Sequence, residues 1–139
     1  MHKVYLGLGT NLGDKEANLK TAFEEIRKRV GEVTSQSAFY ASEPWGYESD
    51  NSFLNAVCCV RTDLSPMELL SMTQEIEREL GRTKKSVGGI YSDRMIDIDI
   101  LVYDDLRIHT PELTIPHPLM WKRNFVMIPL HEIAPQITP

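Results

Sequence analysis

Two aspartates lie two residues apart in a segment that otherwise has the composition of a buried β-strand. Residues 96–103 are mostly β-branched or aromatic, and strand side chains alternate between faces, so Asp97 and Asp99 should project side by side. Neighbouring carboxylates repel, and a Mg²⁺ ion that binds both carboxylates and phosphate oxygens offsets this cost. The alternative is a sheet edge with two solvated acids. Their face would also carry Leu101 and Tyr103, which favours the metal, and the opposite face would carry Ile96, Ile98, Ile100 and Val102.

Basic residues surround this acidic pair in the sequence. Arginine offers forked donors to phosphate and lysine offers point charge, so cations beside a metal-binding pair indicate a bound polyphosphate. The alternative is a solvated charged loop. The length of the segment 82–93, its paired glycines and its attachment to the aspartate strand favour a functional flap. The cations are Arg82, Lys84, Lys85, Arg94 and, further on, Arg123.

A second group of residues could hold a flat heterocycle. The segment 44–47 supplies Trp and Tyr, and Phe53 and Asn55 follow it; aromatic faces combined with an amide are typical of such sites. A core role for Phe53 and an anchoring role for the tryptophan are equally compatible with this pattern. The glycines at 7, 9 and 13 match neither the dinucleotide-binding nor the P-loop spacing, and we interpret them as a tight strand-to-helix turn.

Three further polar residues are candidates for contacts with the same ligands. Gln74 and Glu77 are one helical turn apart and could reach a common ligand, although solvated helix surface explains them equally well. His117 stands between two prolines, which hold it rigidly enough to contact a phosphate.

The elements that would position these residues follow the order β-α-β-β-α-β. Apolar residues at steps of three and four predict the first helix, and a capping box at residues 65–68 predicts the start of the second. We therefore predict an α+β fold with a ferredoxin-like antiparallel sheet and helices packed on one side of it. The predicted strands are 3–9, 33–42, 53–62 and 96–103, with Gly31 ending the helix 15–30, Gly81 ending the helix 66–80, an irregular segment 114–118 and a short helix near 123–130.

Composition excludes several classes of protein. The 139 residues are 42% hydrophobic and 25% charged, which fits one soluble domain over residues 1–139 with no room for a fused second enzyme. A net charge of −5 argues against nucleic-acid binding, and no run of apolar residues predicts a membrane span. The adjacent Cys58 and Cys59 do not suggest disulfides. We expect a cytoplasmic protein, and a monomer because no coiled-coil pattern demands a partner.

At several spaced motifs the chain resembles the 6-hydroxymethyl-7,8-dihydropterin pyrophosphokinases of folate biosynthesis. The segment from Arg94 to Leu101, Arg-x-Ile-Asp-Ile-Asp-Ile-Leu, is the most specific of them. The similarity covers nearly the whole chain, and the ferredoxin-like fold of the family agrees with the predicted order of elements. The other motifs are Gly9-Thr-Asn-Leu-Gly13, Phe53-Leu-Asn55, Gln74-x-x-Glu77, Gly81-Arg82, Ile115-Pro-His-Pro118 and Arg123-x-Phe125.

The resemblance implies a reaction in which the pterin hydroxymethyl group attacks the β-phosphorus of ATP and AMP leaves. It implies that Asp97 and Asp99 bind two Mg²⁺ ions and act in catalysis together with Arg82 and Arg94. Loops near 10–14, 43–52 and 82–94 would close over both substrates. It implies contacts with ATP, the co-substrate, for Gln74, Glu77, Lys84, Tyr91, Ile100, Thr114, His117 and Arg123. It implies contacts with the pterin for Ser42, Pro44, Trp45, Phe53, Asn55 and Phe125.

The third loop departs from the family pattern. Residues 89–94 are about two residues longer than the usual segment, with Tyr91 where a tryptophan is common, and Lys84 replaces a common arginine. No departure removes a predicted metal ligand, so we expect an active enzyme. The alternative is a non-catalytic ferredoxin-like module that binds a metal or nucleotide.

Overall fold

The computed structural model describes residues 1–42, 52–81 and 95–139, and within these ranges it confirms the predicted order of elements. The helices are α1 (Lys15–Arg29), α2 (Pro66–Gly81) and α3 (Asn124–Ile133), and a 3₁₀ turn at Met120–Lys122 precedes α3. The main strands are β1 (His2–Thr10), β2 (Gly31–Gln36), β3 (Tyr40–Ser42), β4 (Phe53–Thr62) and β5 (Asp97–Tyr103). The short strands β6 (Ile108–His109) and β7 (Thr114–Ile115) pair with each other.

The main sheet is antiparallel, with the order β2-β4-β1-β5 and with β3 continuing the β2 side of β4. Strand β1 lies between β4 and β5 and pairs with β4 from His2 opposite Thr62 to Thr10 opposite Leu54. Strand β5 is an edge strand of this sheet. The two strands predicted to carry functional residues therefore flank one central strand.

Helices cover both faces of the sheet, whereas we predicted helices on one side. The residues of α1 and α2 that face the sheet, including Phe23 and Ile76, pack on one face in the larger hydrophobic cluster. Helix α3 packs on the other face through Val126 and Leu130, over Val57 and Leu101. A third apolar helix is stabilised by burying this second face. None of the helices described is long and apolar enough to cross a membrane.

The predicted alternation of side chains along β5 fails at one point. The register with β1 shifts between Tyr5 and Leu6, which pair with Val102 and Ile100, so Leu101 is the extra residue of a bulge. Beyond the bulge the faces exchange: Tyr103 is buried with the cluster under α1 and α2, and Val102 packs towards α3. The prediction that Tyr103 shares the aspartate face was wrong, and so was the prediction that Val102 shares the opposite face with Ile96, Ile98 and Ile100. The predicted common face of Asp97, Asp99 and Leu101 holds up to the bulge residue itself.

The predicted strand 33–42 is interrupted at residues 37–39. Ser37 donates its backbone N–H to the Val57 carbonyl at 2.9 Å, and its hydroxyl accepts the Val57 N–H at 2.9 Å. A side chain thus replaces a backbone group of the ladder and separates β2 from β3. The segment 114–118 was predicted to be irregular, but Thr114 and Ile115 form β7 ahead of the prolines.

Side chains cap the starts of both long helices, and for the second helix the predicted capping box is confirmed. Asp14 accepts a hydrogen bond from the Ala17 N–H at 3.1 Å. Ser65 and Glu68 form a reciprocal capping box. The Ser65 N–H donates to Glu68 Oε1 at 2.8 Å, and the Glu68 N–H donates to Ser65 Oγ at 3.2 Å. These bonds satisfy amide groups that have no partner within the first helical turn.

Gly31 is required by a close approach and not by helix termination. The C-cap of helix α1 is Val30, whose N–H still donates to the Ile26 carbonyl at 2.8 Å. Gly31 does not use the left-handed conformation of a helix-ending glycine, since among the described glycines only Gly13 has a positive φ. A Cβ on Gly31 would lie 1.9 Å from the Arg61 carbonyl oxygen of β4. Only a residue without a side chain fits there.

We expect Gly31→Ala to lower the free energy of unfolding by about 3 kcal/mol, because backbone atoms must move to admit the methyl group. Urea unfolding followed by circular dichroism measures the change. Gly81→Ala is the matched control, because its Cβ would meet Met95 at an ordinary 3.7 Å, and alanine favours helix by up to about 1 kcal/mol. Equal stability of Gly31→Ala and the parent protein would contradict the close approach.

Candidate active site

The register of β1 brings the two predicted subsites together. Gly9 pairs with Asn55 on one side and with Asp97 on the other, and Gly7 pairs in the same way with Val57 and Asp99. All these residues lie on the sheet face that also carries α3. Because neighbouring strands are about 4.8 Å apart, the backbones of Asn55 and Asp97 are separated by roughly 10 Å.

Gly7 and Gly9 have no side chains and form a floor between the β4 residues on one side and the two aspartates of β5 on the other. A Cβ on Gly9 would lie 3.1 Å from Asn55 Oδ1 and 3.5 Å from the Phe53 ring, and one on Gly7 would lie 3.4 Å from Leu101. The predicted strand 3–9 contains both glycines and is confirmed, but their interpretation as part of a turn was wrong, since β1 continues to Thr10. Among the three glycines only Gly13, with a φ of 64°, lies in the turn. The spacing of two residues between Gly7 and Gly9, the period of a strand, was the signal in the sequence that both open onto one face.

Asn55 is oriented by the neighbouring strand β3. Its Nδ2 donates to the Tyr40 carbonyl oxygen at 3.0 Å and to Ser42 Oγ at 2.8 Å. The side chain is buried, and these two bonds to the amide nitrogen leave its oxygen directed over Gly9. Ser42, predicted to shape the pterin pocket, therefore acts on the geometry of Asn55. The role of the Tyr40 carbonyl could not be read from the sequence, because backbone carbonyls carry no sequence signal.

The aspartate pair is half-buried and is held by helix α2. Glu77 accepts the backbone N–H of Ile98, the residue between the two aspartates, at 2.7 Å. A carboxylate acceptor makes this hydrogen bond stronger than a neutral one would be. Glu77 thus reaches the outer edge of β5, whereas Gln74, which carries the same predicted contact with ATP, is exposed on α2.

His117 lies within electrostatic range of Asp99 and Arg123. Burial lowers its pKa from the ordinary value of 6.5, the Asp99 carboxylate opposes this by raising the pKa, and the Arg123 guanidinium lowers it further. Its Nδ1 accepts the Leu119 N–H at 3.2 Å, so the neutral ring carries its proton on Nε2. An Nε2–H donor beside an aspartate and an arginine suits contact with a phosphate oxygen.

Arg123 and Phe125 are brought together at the start of α3. The guanidinium carbon of Arg123 lies 5.5 Å from the centre of the Phe125 ring, within the range of a cation–π interaction. Phe125 is half-buried and packs against the cluster under α3. The start of this helix therefore carries both a cation and an aromatic ring, and their contacts with phosphate and with the pterin stay predictions.

Other predicted residues are not on this face or are not described. The Ile100 side chain is 4% exposed and packs under α1 and α2, so it could meet a nucleotide only through its backbone at the edge of the sheet. Thr114 is half-buried in β7, outside the main sheet. The predictions for Pro44, Trp45, Arg82, Lys84, Tyr91 and Arg94 fall outside the described residues.

The aspartate pair fits the metal that was predicted for it. Asp97 and Asp99 offer hard carboxylate oxygens on one half-buried face, and Mg²⁺ takes one or two carboxylates and completes its shell with waters and phosphate oxygens. In the described parts of the chain no group of three or more histidines, cysteines or acids could hold a metal ion by itself. The donor set therefore suits a metal that arrives with a phosphate ligand.

We expect the pKa of His117 in the metal-free protein to lie below 6.5, to fall further in Asp99→Asn and to rise in Arg123→Met, as the signs of the two charges require. Titration of the ring protons by NMR measures all three. The unfolded chain takes up the proton first as the pH falls below 6.5, so this histidine reduces the free energy of unfolding there. Asp105→Asn, an exposed acid beyond the end of β5, is the control, and a raised pKa in Asp99→Asn would contradict the assignment.

Comparison with known proteins assigns the chain to a family. The family model for 7,8-dihydro-6-hydroxymethylpterin-pyrophosphokinase (HPPK) matches residues 5–135. A 2-amino-4-hydroxy-6-hydroxymethyldihydropteridine pyrophosphokinase of Porphyromonas gingivalis is 53% identical over 98% of this chain and 93% of its own length. A protein of the same name from Bacillus subtilis is 42% identical over 96% of this chain and 78% of its own length.

Solved structures show the same fold. A crystal structure of an HPPK-DHPS in complex with substrates superposes on 99% of this chain with a TM-score of 0.79 at 16% identity. This chain spans 40% of that longer protein. The crystal structure of wild-type Plasmodium falciparum HPPK-DHPS superposes with a TM-score of 0.79 at 17% identity, and this chain spans 42% of that protein. Since the family model matches most of the chain and the relatives are aligned over nearly all of it, the chain belongs to the 7,8-dihydro-6-hydroxymethylpterin-pyrophosphokinase family.

Proposed function

We propose that this protein transfers the pyrophosphoryl group of ATP to the hydroxymethyl group of 6-hydroxymethyl-7,8-dihydropterin and releases AMP, a step of folate biosynthesis. It is an enzyme, a 2-amino-4-hydroxy-6-hydroxymethyldihydropteridine pyrophosphokinase, as its relatives over nearly the whole chain are named. The observation that carries the proposal is the cross-strand row Asn55–Gly9–Asp97, in which three residues pair side by side on β4, β1 and β5. It sets an amide and a carboxylate on opposite sides of a residue that has no side chain.

The pterin would lie over Gly9, on the Asn55 side of this row. The oriented oxygen of Asn55 accepts a hydrogen bond from the amino or ring N–H groups of the pterin edge. Phe53 lies beside Gly9, and Phe125 is half-buried on the same face, so the two rings can enclose a flat heterocycle. The hydroxymethyl group then points along the row towards Asp97.

The triphosphate would lie on the other side of the row. Asp97 and Asp99 would hold two Mg²⁺ ions, which when bound neutralise phosphate charge and align the attacking and leaving oxygens. His117 donates from Nε2 to a phosphate oxygen, and Arg123 adds a positive charge near that donor. Glu77 holds the backbone between the two aspartates. Arg82 and Arg94 complete the phosphate contacts in this proposal.

Residues 1–139 act as one pyrophosphokinase domain, because both hydrophobic clusters pack on faces of the same sheet. One chain supplies both subsites, so we propose a monomer whose ligands are the pterin and ATP. We place the reaction in the cytoplasm, because Cys58 and Cys59 are buried free thiols, as in proteins of reducing compartments. Burial raises the pKa of Cys58 to about 12, which keeps this thiol protonated.

Analysis of the nucleotide products tests the reaction. With Mg²⁺-ATP and the hydroxymethyl dihydropterin, we expect AMP to form only when the pterin is present, in amounts equal to the pterin pyrophosphate. ADP as the product would indicate an ordinary kinase acting through the same carboxylates. Bound ATP without turnover would indicate a non-catalytic module.

We expect Asp97→Asn and Asp99→Asn each to reduce the turnover number at least about a hundredfold, the scale on which electrostatic groups in an active site act. Each change keeps the size of the side chain and removes the charge that binds the metal. Asp105→Asn removes one negative charge from an exposed turn beyond the same strand and should leave turnover unchanged. Turnover within a factor of two of the parent protein in either site variant would remove the metal assignment.

A further inference from the structure

Lys15, the first residue of α1, connects this helix to the strand that carries the pterin residues. Its Nζ donates to the Ser52 carbonyl oxygen at 2.9 Å and lies 3.5 Å from Ser52 Oγ. Ser52 immediately precedes β4, so this bond is one residue from Phe53 and three from Asn55. Lys15 lies outside the motifs that carry the resemblance to the pyrophosphokinases.

A lysine at this position is electrostatically unfavourable for the helix itself. The first turn of a helix carries a partial positive charge, which favours acidic residues there and disfavours an ammonium group. The hydrogen bond from this ammonium group to a carbonyl is charge-assisted and is therefore stronger than a neutral one. Lys15 is half-buried, so its bond to Ser52 is partly shielded from water.

The segment from which Lys15 projects is held firmly. Asn18 Nδ2 donates to the Leu12 carbonyl at 2.8 Å and to Thr10 Oγ1 at 3.2 Å, while Asp14 caps the helix. Thr10 ends β1, one residue after Gly9 of the floor. Lys15 therefore links a hydrogen-bonded turn at one end of the floor to the first residues of the neighbouring strand.

The start of β4 is thus supported from two sides. On the side of β3, Asn55 is bound to Tyr40 and Ser42 through its amide nitrogen. On the side of α1, Lys15 holds Ser52. Between these two supports, the Phe53 ring and Asn55 Oδ1 lie 3.5 and 3.1 Å from the point where a Cβ on Gly9 would stand. A small displacement of β4 would therefore move both the ring and the oxygen relative to the floor.

We propose that Lys15 is a positioning residue for the pterin, fixing Phe53 and Asn55 over the floor through its hydrogen bond to the Ser52 carbonyl. The inference rests on the proposed function, since it concerns the same pterin subsite. It extends that function by assigning a residue of α1 to recognition of the pterin, separate from the groups that would bind the phosphates.

The test compares Lys15→Met with the control Lys20→Met, an exposed lysine of the same helix. We expect Lys15→Met to raise the KM for the pterin about tenfold, the scale of one charge-assisted hydrogen bond, with KM for ATP and kcat within a factor of two. Lys20→Met should change none of them. Direct binding of the pterin by calorimetry, with a non-hydrolysable ATP analogue present, should weaken by the same factor and does not depend on turnover.

Two further variants separate positioning from general stabilisation. Lys15→Arg keeps a charged donor and should recover most of the pterin affinity, whereas Ser52→Ala leaves the accepting backbone carbonyl in place and should have almost no effect. An unchanged pterin KM in Lys15→Met, an equal rise of both KM values, or no recovery in Lys15→Arg would overturn the proposal. Failure of the parent protein to form AMP would instead overturn the proposed function, and the calorimetric comparison would still decide the role of Lys15.

Discussion

The central strand β1 imposes the constraint on which the rest of the site depends. On one face it carries Val4, Leu6 and Leu8, which are buried under α1 and α2, and on the other it carries Gly7 and Gly9. Close packing on the first face fixes the position of the strand, and the absence of side chains at Gly7 and Gly9 leaves room for a ligand on the second. Because β1 pairs with both β4 and β5, its register also determines which residues border that room.

The residues at the border are held by neighbouring elements, a helix on one side and a strand of the sheet on the other. Glu77 of α2 holds the backbone between Asp97 and Asp99, and the backbone and hydroxyl of β3 hold the Asn55 amide. Such bonds fix orientation in the absence of the ligand, so less ordering is required when the ligand binds. The ionisable groups follow the same logic, since burial and Arg123 keep the pKa of His117 low while Asp99 opposes them.

The sequence predicted the elements of this fold well because their signals are local. Capping residues, apolar periodicity and β-branched runs located α1, α2, β4 and most of β5. The bulge at Leu101, the role of Gly31 and the floor at Gly7 and Gly9 were missed, because each depends on which backbone lies opposite. Register between strands distant in the sequence is a tertiary property, and a glycine needed for close approach has the same letter as one needed for a turn. The chemical types of the candidate residues could thus be predicted from the sequence, but their arrangement in rows could not.

The length of α3 limits how much of the second face this helix itself can cover. Ten helical residues span about 15 Å, whereas the nine residues of β1 span about 30 Å, so in any orientation the helix covers at most half the length of the strand. The covered part carries large apolar side chains such as Tyr5, Val57 and Leu101. The remainder carries glycines, an amide and two carboxylates, which need a polar ligand or water and not an apolar helix. Among the elements that the structure describes, the candidate active site is therefore the part of the sheet face that α3 does not reach, and the start of that helix supplies Arg123 and Phe125 to its border.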